Sequence, residues 1–300
     1  MNNNLQAVII GEVLFDLFDD GQAVLGGAPF NVAWHLQGFG QSPLLISRVG
    51  VDEHGANIRQ TMLEWGMDVG GLQTDPMHPT GLVQVSLNQG QPTFTICDEA
   101  AYDYIDVSQV DSDLAKLTNP FLYHGSLAAR HPRVFDLIQQ MRQGVEHCFV
   151  DINLRSPWWG KAEVMRLIDG ANWLKLNEDE LHSLKGVGPE LADMIDATKV
   201  LMQDYHIDIA ILTRGEQSAC IISRDRHIQS QPVAVDDLQD TVGAGDAFSS
   251  VCMLGMIHDW PHELILQRAT AFAAKICEQR GATSMNTKLY DDYKGQWHLT

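Results

Sequence analysis

The strongest constraint on the fold of this 300-residue chain is its alternation of short apolar stretches, rich in β-branched and aromatic residues, with stretches of helical period. The predicted strands are Ala7–Ile10, Leu44–Val49, Phe121–His124, Cys148–Ile152, Trp173–Leu176 and Ile209–Leu212. Predicted helices at Pro132–Gln143 and Glu190–Tyr205 separate pairs of these strands. We therefore expect an α/β fold with a mostly parallel central sheet flanked by helices.

Two segments, about residues 12–25 and 80–105, depart from this alternation. Within the second, LVQVSLNQGQPTFTI alternates apolar and polar residues on both sides of a turn at residues 88–92. This pattern is typical of antiparallel strands with one exposed face. We expect a small β-sheet lid on one continuous domain over residues 1–300, because no linker or repeat interrupts the chain.

The predicted lid has an apolar face formed by Val83, Val85 and Leu87. An isolated sheet of two or three strands is marginally stable in water unless its apolar face is covered. We therefore expect a homodimer in which a second subunit covers this face.

Acidic residues outnumber basic ones, 39 Asp and Glu against 20 Lys and Arg, and the formal net charge is −19. Nucleic acids and anionic membrane surfaces bind to clustered cations, so a chain this acidic would repel them. We expect neither nucleic acid nor a membrane as a partner.

The five cysteines are widely spaced and form no Cys-x-x-Cys pair, which indicates free thiols and a reducing compartment. The first residues lack the basic segment of a signal peptide, and no apolar run reaches the ~18 residues that a membrane-spanning helix needs. These features predict a cytoplasmic protein.

A Gly-x-Gly-Asp motif lies within DTVGAGDAF, residues 240–248, before a run of small and apolar residues typical of a buried helix. Gly243 and Gly245 allow backbone N–H groups to converge on an anion at the positive end of the helix dipole. Asp246, on the first turn of that helix, could accept the proton of a hydroxyl placed beside the anion. An ordinary glycine-rich turn followed by an acid has the same pattern, and the P-loop and protein-kinase motifs are absent.

A second motif, LGGAPFNVAWHLQGFG at residues 25–40, places a Gly-Gly turn and Pro29 before a predicted helix that begins with Asn31 near its first turn. A small polar ligand could bind there. A Gly-Gly turn that only starts a helix is the alternative.

The two motifs, in this order, resemble the paired signatures of the PfkB family of carbohydrate kinases, which have the ribokinase-like fold. DINLRSPWW, residues 151–159, is similar to a segment of fructokinases and 2-keto-3-deoxygluconate kinases. LNEDE matches the family's N-x-x-E motif at Asn177 and Glu180, and Thr213-Arg214-Gly215 matches its nucleotide-binding T-x-G. The resemblance spans nearly the whole chain and implies a three-layer kinase with a β-sheet lid.

The resemblance also implies which residues carry the chemistry of phosphoryl transfer. Asp246 would be the catalytic base, and the backbone of Gly243, Ala244 and Gly245 would form an anion hole for the γ-phosphate of ATP. Glu180, with Asn177, would organise hydrated Mg²⁺, which prefers oxygen ligands and keeps several waters. Thr213 and Gly215 would contact the nucleotide.

The residues that the resemblance places at the sugar are Asp16, Gly27, Asn31, Tyr102, Tyr104 and Arg155. Asp16, Gly27 and Asn31 would line the pocket, and the two tyrosines would close over it from the end of the lid. Arg155 would reach the substrate or a phosphate.

Asp240 lies beside Thr241-Val242, which resembles the loop that holds a monovalent cation in many relatives, so the resemblance implies a K⁺ site there. One departure concerns the nucleotide loop, since Ser218 stands where the family's T-x-G-x-x-G form has its second glycine.

The sugar is predicted to be neutral, because a sugar phosphate needs Lys or Arg in its pocket. Residues 1–115 contain two cations against fifteen acids, and Arg130 is the one nearby cation that could reverse this expectation. Fructose is the leading candidate. The alternatives are 2-keto-3-deoxygluconate, ribose and a nucleoside or aminoimidazole riboside. A non-catalytic sugar- or nucleotide-binding protein is a more remote alternative.

Overall fold

The computed structural model describes residues 5–88, 91–114 and 117–299 of the chain. Its strands are β1 (Gln6–Ile10), β2 (Leu14–Phe18), β3 (Ala23–Gly26), β4 (Leu44–Gly50), β5 (Leu72–Asp75), β6 (Gly81–Asn88), β7 (Gln91–Ile96), β8 (Pro120–His124), β9 (His147–Asp151), β10 (Trp173–Asn177), β11 (Ile209–Thr213), β12 (Ala219–Ser223) and β13 (His227–Gln229). Its α-helices are α1 (Ala28–Gly38), α2 (Glu53–Glu64), α3 (Val107–Leu114), α4 (Pro132–Gln143), α5 (Lys161–Ile168), α6 (Glu178–Lys185), α7 (Leu191–Asp204), α8 (Ala244–Ile257), α9 (His262–Ile276) and α10 (Thr287–Trp297).

Within these ranges the central sheet has nine strands in the order β13-β12-β11-β10-β9-β8-β1-β4-β5. The pairings from β11 to β5 are parallel, and β12 and β13 extend the sheet in antiparallel fashion. All six predicted strands belong to the parallel block, and the two predicted helices are α4 and α7. The expected α/β fold is therefore confirmed.

Helices cover both faces of this sheet. Val8 and Ile10 of β1 face a core that includes Val134 of α4 and other residues of α4 to α7. Ala7 and Ile9, the intervening residues, face a second core with residues of α1, α2, α8, α9 and α10. Because neighbouring strand residues point to opposite faces, one apolar strand contributes to both cores, and the molecule has three layers.

The lid is a four-stranded sheet in the order β3-β2-β6-β7. β2–β3 and β6–β7 are antiparallel, as predicted, but β2 pairs with β6 in parallel, because these strands come from two separate hairpins. The strands end at Ile96, and Ala101–Tyr104 forms a short 3₁₀ helix where the lid was predicted to continue. Residues 89 and 90 of the predicted turn lie outside the described residues.

The expectation that a second subunit covers Val83 and Val85 is wrong. Val83 and Val85 are buried within the chain itself, packed in the same core cluster as Tyr102 and Ile105. The side chain of Leu87 lies outside the described residues. A second subunit is therefore not needed to cover Val83 and Val85.

Across the part of the chain that the structure describes, the search for a helix both long and apolar enough to span a membrane finds none.

Candidate active site

Polar residues gather at the carboxyl edge of the parallel sheet, where α/β proteins commonly bind ligands. Glu12 follows β1, Asp151 ends β9 and Asn177 ends β10. The first turns of α1 and α8 reach the same edge, since Asn31 of α1 contacts Asp246 of α8. The fold thus brings together segments that are far apart in the sequence.

The predicted anion hole is the turn that starts α8. Gly243 precedes the helix with φ of 80°, a left-handed conformation that favours glycine. A Cβ atom on Gly243 would lie 2.3 Å from Cβ of Ala282, so no larger residue fits between the turn and the segment behind it. The first N–H groups of a helix have no partner within the helix, so those of Gly243 to Asp246 are suited to bind an anion. The N–H of Ala244 also lies 3.3 Å from the carbonyl oxygen of Thr241.

Asp246 is half-buried on the first turn of α8. Its Oδ2 accepts a hydrogen bond of 2.7 Å from Nδ2 of Asn31, as expected for two residues of one site. Burial raises the pKa of Asp246 to about 6, against the lowering effect of the Asn31 hydrogen bond. The carboxylate is thus oriented and has a basicity suited to accepting a hydroxyl proton near neutral pH.

Gly27 begins α1 with φ of 109°, and a Cβ atom there would lie 2.6 Å from the carbonyl oxygen of Glu12. The Gly-Gly turn is therefore more than a helix start, because it allows the backbone of α1 to contact the segment that carries Glu12. Asp16, on β2 of the lid, has its pKa raised to about 6 by burial, with Arg155 acting in the opposite direction.

Glu12 is a site residue that the sequence analysis missed. It is 4% exposed, and its Oε2 has no hydrogen-bond partner among the described residues. Burial raises its pKa to about 7, while the positive charge of Arg155 lowers it and the charge of Asp246 raises it. Its position directly after a parallel strand was the available signal.

A buried ion pair lies below the anion-binding turn and was also missed. Nζ of Lys175 is 2.8 Å from Oδ2 of Asp151, which also accepts a 2.7 Å hydrogen bond from Oγ of Ser249 in α8. Nζ lies 3.5 Å from the position that a Cβ atom on Gly245 would occupy. The pair therefore supports the turn from within the core.

Glu180 and Asn177 form a capping box at the start of α6. One oxygen of Glu180 accepts a 2.8 Å hydrogen bond from the backbone N–H of Asn177, and the other accepts one from Leu154, also 2.8 Å. Burial raises the pKa of Glu180.

Each carboxylate oxygen of Glu180 keeps a further lone pair for a metal-bound water, although no cluster of three or more acidic, His or Cys residues that could hold a metal directly occurs in the described ranges. This donor set fits Mg²⁺ held through water rather than through direct ligands.

Arg130, the cation that could have reversed the expectation of a neutral sugar, is engaged by Asp103. Nε of Arg130 lies 2.9 Å from Oδ1 of Asp103, and its Nη2 lies 2.7 Å from Oδ2. Both side chains are buried, and Tyr102 lies against the guanidinium. Tyr102 is therefore buried beside the Arg130–Asp103 pair, and its hydroxyl has no hydrogen-bond partner among the described residues.

Tyr104 does not lie with the site acids. Its ring stacks on His78 with 3.6 Å between centroids and contacts His131 at 4.8 Å. Arg155 is exposed, and its charge acts on Glu12, Asp16 and Asp246 together.

Asp240 connects the anion-binding turn to the segment around Gly281. Its Oδ1 accepts a hydrogen bond from the N–H of Val242 at 3.0 Å, and its Oδ2 accepts one from Gly281 at 3.2 Å. The predicted nucleotide residues Thr213 and Gly215 lie at the carboxyl end of β11. Ser218, in place of the family's glycine, closes this turn by accepting the N–H of Arg214 at 2.9 Å.

The model of the pfkB family of carbohydrate kinases matches residues 12–289, which is nearly all of the chain. The chain belongs to this family.

Two relatives and one solved structure illustrate how similar this pfkB-family kinase is to known proteins. Sugar kinase PH1459 of Pyrococcus horikoshii is 27% identical over 300 residues, covering 93% of this chain and 92% of that protein. A fructokinase of Escherichia coli is 27% identical over 269 residues and covers 83% of each chain. The fructokinase of Vibrio cholerae, solved with fructose, ADP and calcium, superimposes with a TM-score of 0.80 at 26% identity, covering 96% of this chain and 99% of that one.

Proposed function

We propose that this carbohydrate kinase transfers the γ-phosphate of ATP to a hydroxyl of a neutral sugar, with fructose as the first candidate. The observation that carries the proposal is the engagement of Arg130 by Asp103. Three cations act on the acids Glu12, Asp16 and Asp246. Arg130 and Lys175 are buried and paired with Asp103 and Asp151, which leaves the exposed Arg155 as the cation of these three without such a buried pair. Such a pocket disfavours a sugar that already carries a phosphate.

Asp246 would accept the proton of the attacking hydroxyl as its oxygen bonds to the γ-phosphorus and the bond to ADP breaks. The N–H groups of Ala244 to Asp246 would stabilise the negative charge on the transferring group. Mg²⁺, when bound, would neutralise charge on the phosphates, and Glu180 with Asn177 would hold its water ligands. Asp240 and the backbone around it would hold K⁺.

Buried polar atoms without a partner mark where the sugar would bind. Oε2 of Glu12, Oδ1 of Asn31 and the hydroxyl of Tyr102 are such atoms. Two acceptors and a hydroxyl suit the hydroxyl groups of a sugar, and burying them unpaired would cost about 1–3 kcal/mol each. Gly27 would line the sugar pocket beside Glu12, and Thr213 and Gly215 would contact the nucleotide.

The test is a coupled assay of ADP release at fixed ATP, Mg²⁺ and K⁺. Fructose, fructose 6-phosphate, 2-keto-3-deoxygluconate, ribose, adenosine and aminoimidazole riboside are compared by kcat/KM. We expect fructose to exceed fructose 6-phosphate by on the order of 10²-fold, because even about 3 kcal/mol of unpaired charge has that effect. A preference for the phosphate would refute the neutral-sugar proposal, and ligand binding without any ADP release would favour a non-catalytic binding protein.

A homodimer through the lid remains part of the proposal. Phe18 and Phe94, 37% and 56% exposed, lie on either side of Val85 in the strand register, so the lid keeps an apolar surface after its own core is covered. Sedimentation at micromolar protein tests it, and a monomer that keeps full activity on dilution would exclude it.

A further inference from the structure

Helix α1 contacts the phosphoryl-transfer site at two places. On its first turn, Asn31 donates to Asp246. One turn later, His35 and Trp34 contact the segment that lies behind the anion-binding turn. Residues four apart lie on the same side of a helix, so Asn31 and His35 face the site together.

His35 is fully buried and makes two hydrogen bonds. Its Nε2 lies 3.0 Å from the carbonyl oxygen of Ala282, and its Nδ1 lies 3.0 Å from the hydroxyl of Tyr290 in α10. A carbonyl oxygen only accepts, so Nε2 carries the proton and Nδ1 accepts from Tyr290. Burial lowers the pKa of His35 to about 3, and the ring is neutral at any working pH.

Ala282 is in turn the residue that packs on Gly243. A Cβ atom on Gly243 would lie 2.3 Å from Cβ of Ala282, which leaves no free space between the two backbones. Nε1 of Trp34 donates at 3.0 Å to the carbonyl oxygen of Ser284, two residues further along the same segment. A shift of this segment would therefore move the Gly243 turn.

We propose that His35 is a positioning residue for phosphoryl transfer. Its hydrogen bond to Ala282, which packs on Gly243, fixes α1 relative to the Gly243 turn, and α1 orients the Asp246 carboxylate through Asn31. This proposal rests on the proposed roles of Asp246 and the anion-binding turn. His35 itself touches no reacting atom. Its effect is on the orientation of the Asp246 carboxylate relative to the anion hole, to which the rate is sensitive.

The experiment separates the two hydrogen bonds of the imidazole. In His35→Gln, the side-chain amide can still donate to Ala282. In His35→Asn, the shorter side chain can accept from Tyr290 but does not reach Ala282. Tyr290→Phe, the matched control, removes only the bond to α10. The kcat, the KM for the sugar, the affinity for ATP and the melting temperature are measured for each.

We expect His35→Asn to lower kcat at least tenfold, with the KM for the sugar within about threefold, because a small displacement at a reacting centre can cost up to ~10²-fold in rate. His35→Gln should keep kcat within about threefold of the unmodified enzyme. Tyr290→Phe should lose thermal stability but not kcat. Equal kcat in the Gln and Asn variants, or a kcat that falls with melting temperature in all three, would overturn the proposal.

A second measurement does not depend on turnover. The amide ¹H–¹⁵N resonances of Gly243 and Gly245 should move in His35→Asn and stay in place in Tyr290→Phe. If no sugar is phosphorylated by the unmodified protein, the proposed function fails while these resonances still report on the contact. If they are unchanged in His35→Asn, the positioning role is refuted whatever the substrate. Should His35→Asn not fold, Trp34→Phe, which removes the donor to Ser284, is measured in its place, with the same expected changes.

Discussion

Asn31 donates a hydrogen bond of 2.7 Å to the carboxylate of Asp246, although the two residues are 215 positions apart. The bond joins the first turns of α1 and α8. A neutral amide orients the carboxylate without the strong pKa depression that a directly bonded cation would cause. The Asp246 carboxylate is therefore fixed in position and keeps a pKa of about 6.

The pH profile of the enzyme tests this relationship. The base must be ionised, so kcat/KM should fall as the pH drops through about 6. Asn31→Ala removes the hydrogen bond that lowers the pKa of Asp246, and the acid limb should move up by about one to two pH units, since a bond to a charged group is worth roughly 1.5–3 kcal/mol. Asp246→Asn, as control, should lower kcat by ~10²–10⁴-fold at pH 7 and above, where the carboxylate of the unmodified enzyme is ionised. An acid limb at the same pH in Asn31→Ala would show that another group limits the rate.

Glu12 should make folding stability depend on pH. Its pKa is raised from 4.5 to about 7 in the folded protein, so the folded state binds the proton more tightly than the unfolded state. Stability is then lost as the pH rises from about 4.5 to about 7, by about 3 kcal/mol. Glu12→Gln should be more stable than the unmodified protein at pH 8 and equally stable at pH 4, as measured by urea unfolding. Glu216→Gln, at an exposed turn, is the control, and the same pH dependence in both variants would contradict the assignment.

Asp103 should be needed to keep Arg130 buried. Removal of one partner of a buried ion pair leaves an uncompensated charge, at a cost of about 3–5 kcal/mol. Asp103→Ala should therefore lower the free energy of unfolding by about that amount, whereas Asp98→Ala, five residues earlier and exposed, should change it by less than about 0.5 kcal/mol. Similar losses in the two variants, measured by chemical denaturation, would mean that the pair contributes little.

Gly243 and Gly186 form a matched pair for substitution. Both have positive φ, 80° and 68°, but a Cβ atom at Gly186 meets nothing within 4 Å, while one at Gly243 meets Ala282. Gly186→Ala should lower the free energy of unfolding by about 1–2 kcal/mol, because alanine is disfavoured there only by the left-handed conformation. Gly243→Ala should lower the free energy of unfolding by about 1–3 kcal/mol more than Gly186→Ala does, because the added methyl group clashes with Ala282. It should also lower kcat. Calorimetry measures the stability of both variants, and steady-state kinetics measures their kcat. An unchanged kcat in Gly243→Ala would argue against an anion hole at this turn.

The sequence was sufficient for the parallel block of the sheet because its strands are buried on both faces and are apolar throughout. It did not predict β5 and β13, the short strands at the two edges of the sheet, or β12, which pairs with β11 and β13 in antiparallel fashion. For the site, the glycine motifs and Asn31 could be found because a turn imposes local residue choices.

The Arg130–Asp103 pair could not be found in that way, and the signal for Glu12 was its position directly after a parallel strand. An acid or an arginine in a sequence looks the same whether it is solvated or buried. The partners of Arg130 and Asp103 are 27 residues apart and meet only in the folded chain. Whether Arg130 is free to bind a sugar phosphate or is paired with Asp103 could thus be assessed only from the tertiary structure.

The parallel pairing of β2 with β6 sets an order of assembly. The chain that connects these two strands includes α1, β4, α2 and β5, which belong to the central layers. Parallel strands that are joined by such a long connection pair only after the loop between them has closed, and non-local contacts of this kind form slowly. We therefore expect the small sheet to be completed after the connecting segments α1, β4, α2 and β5 have packed into the central layers.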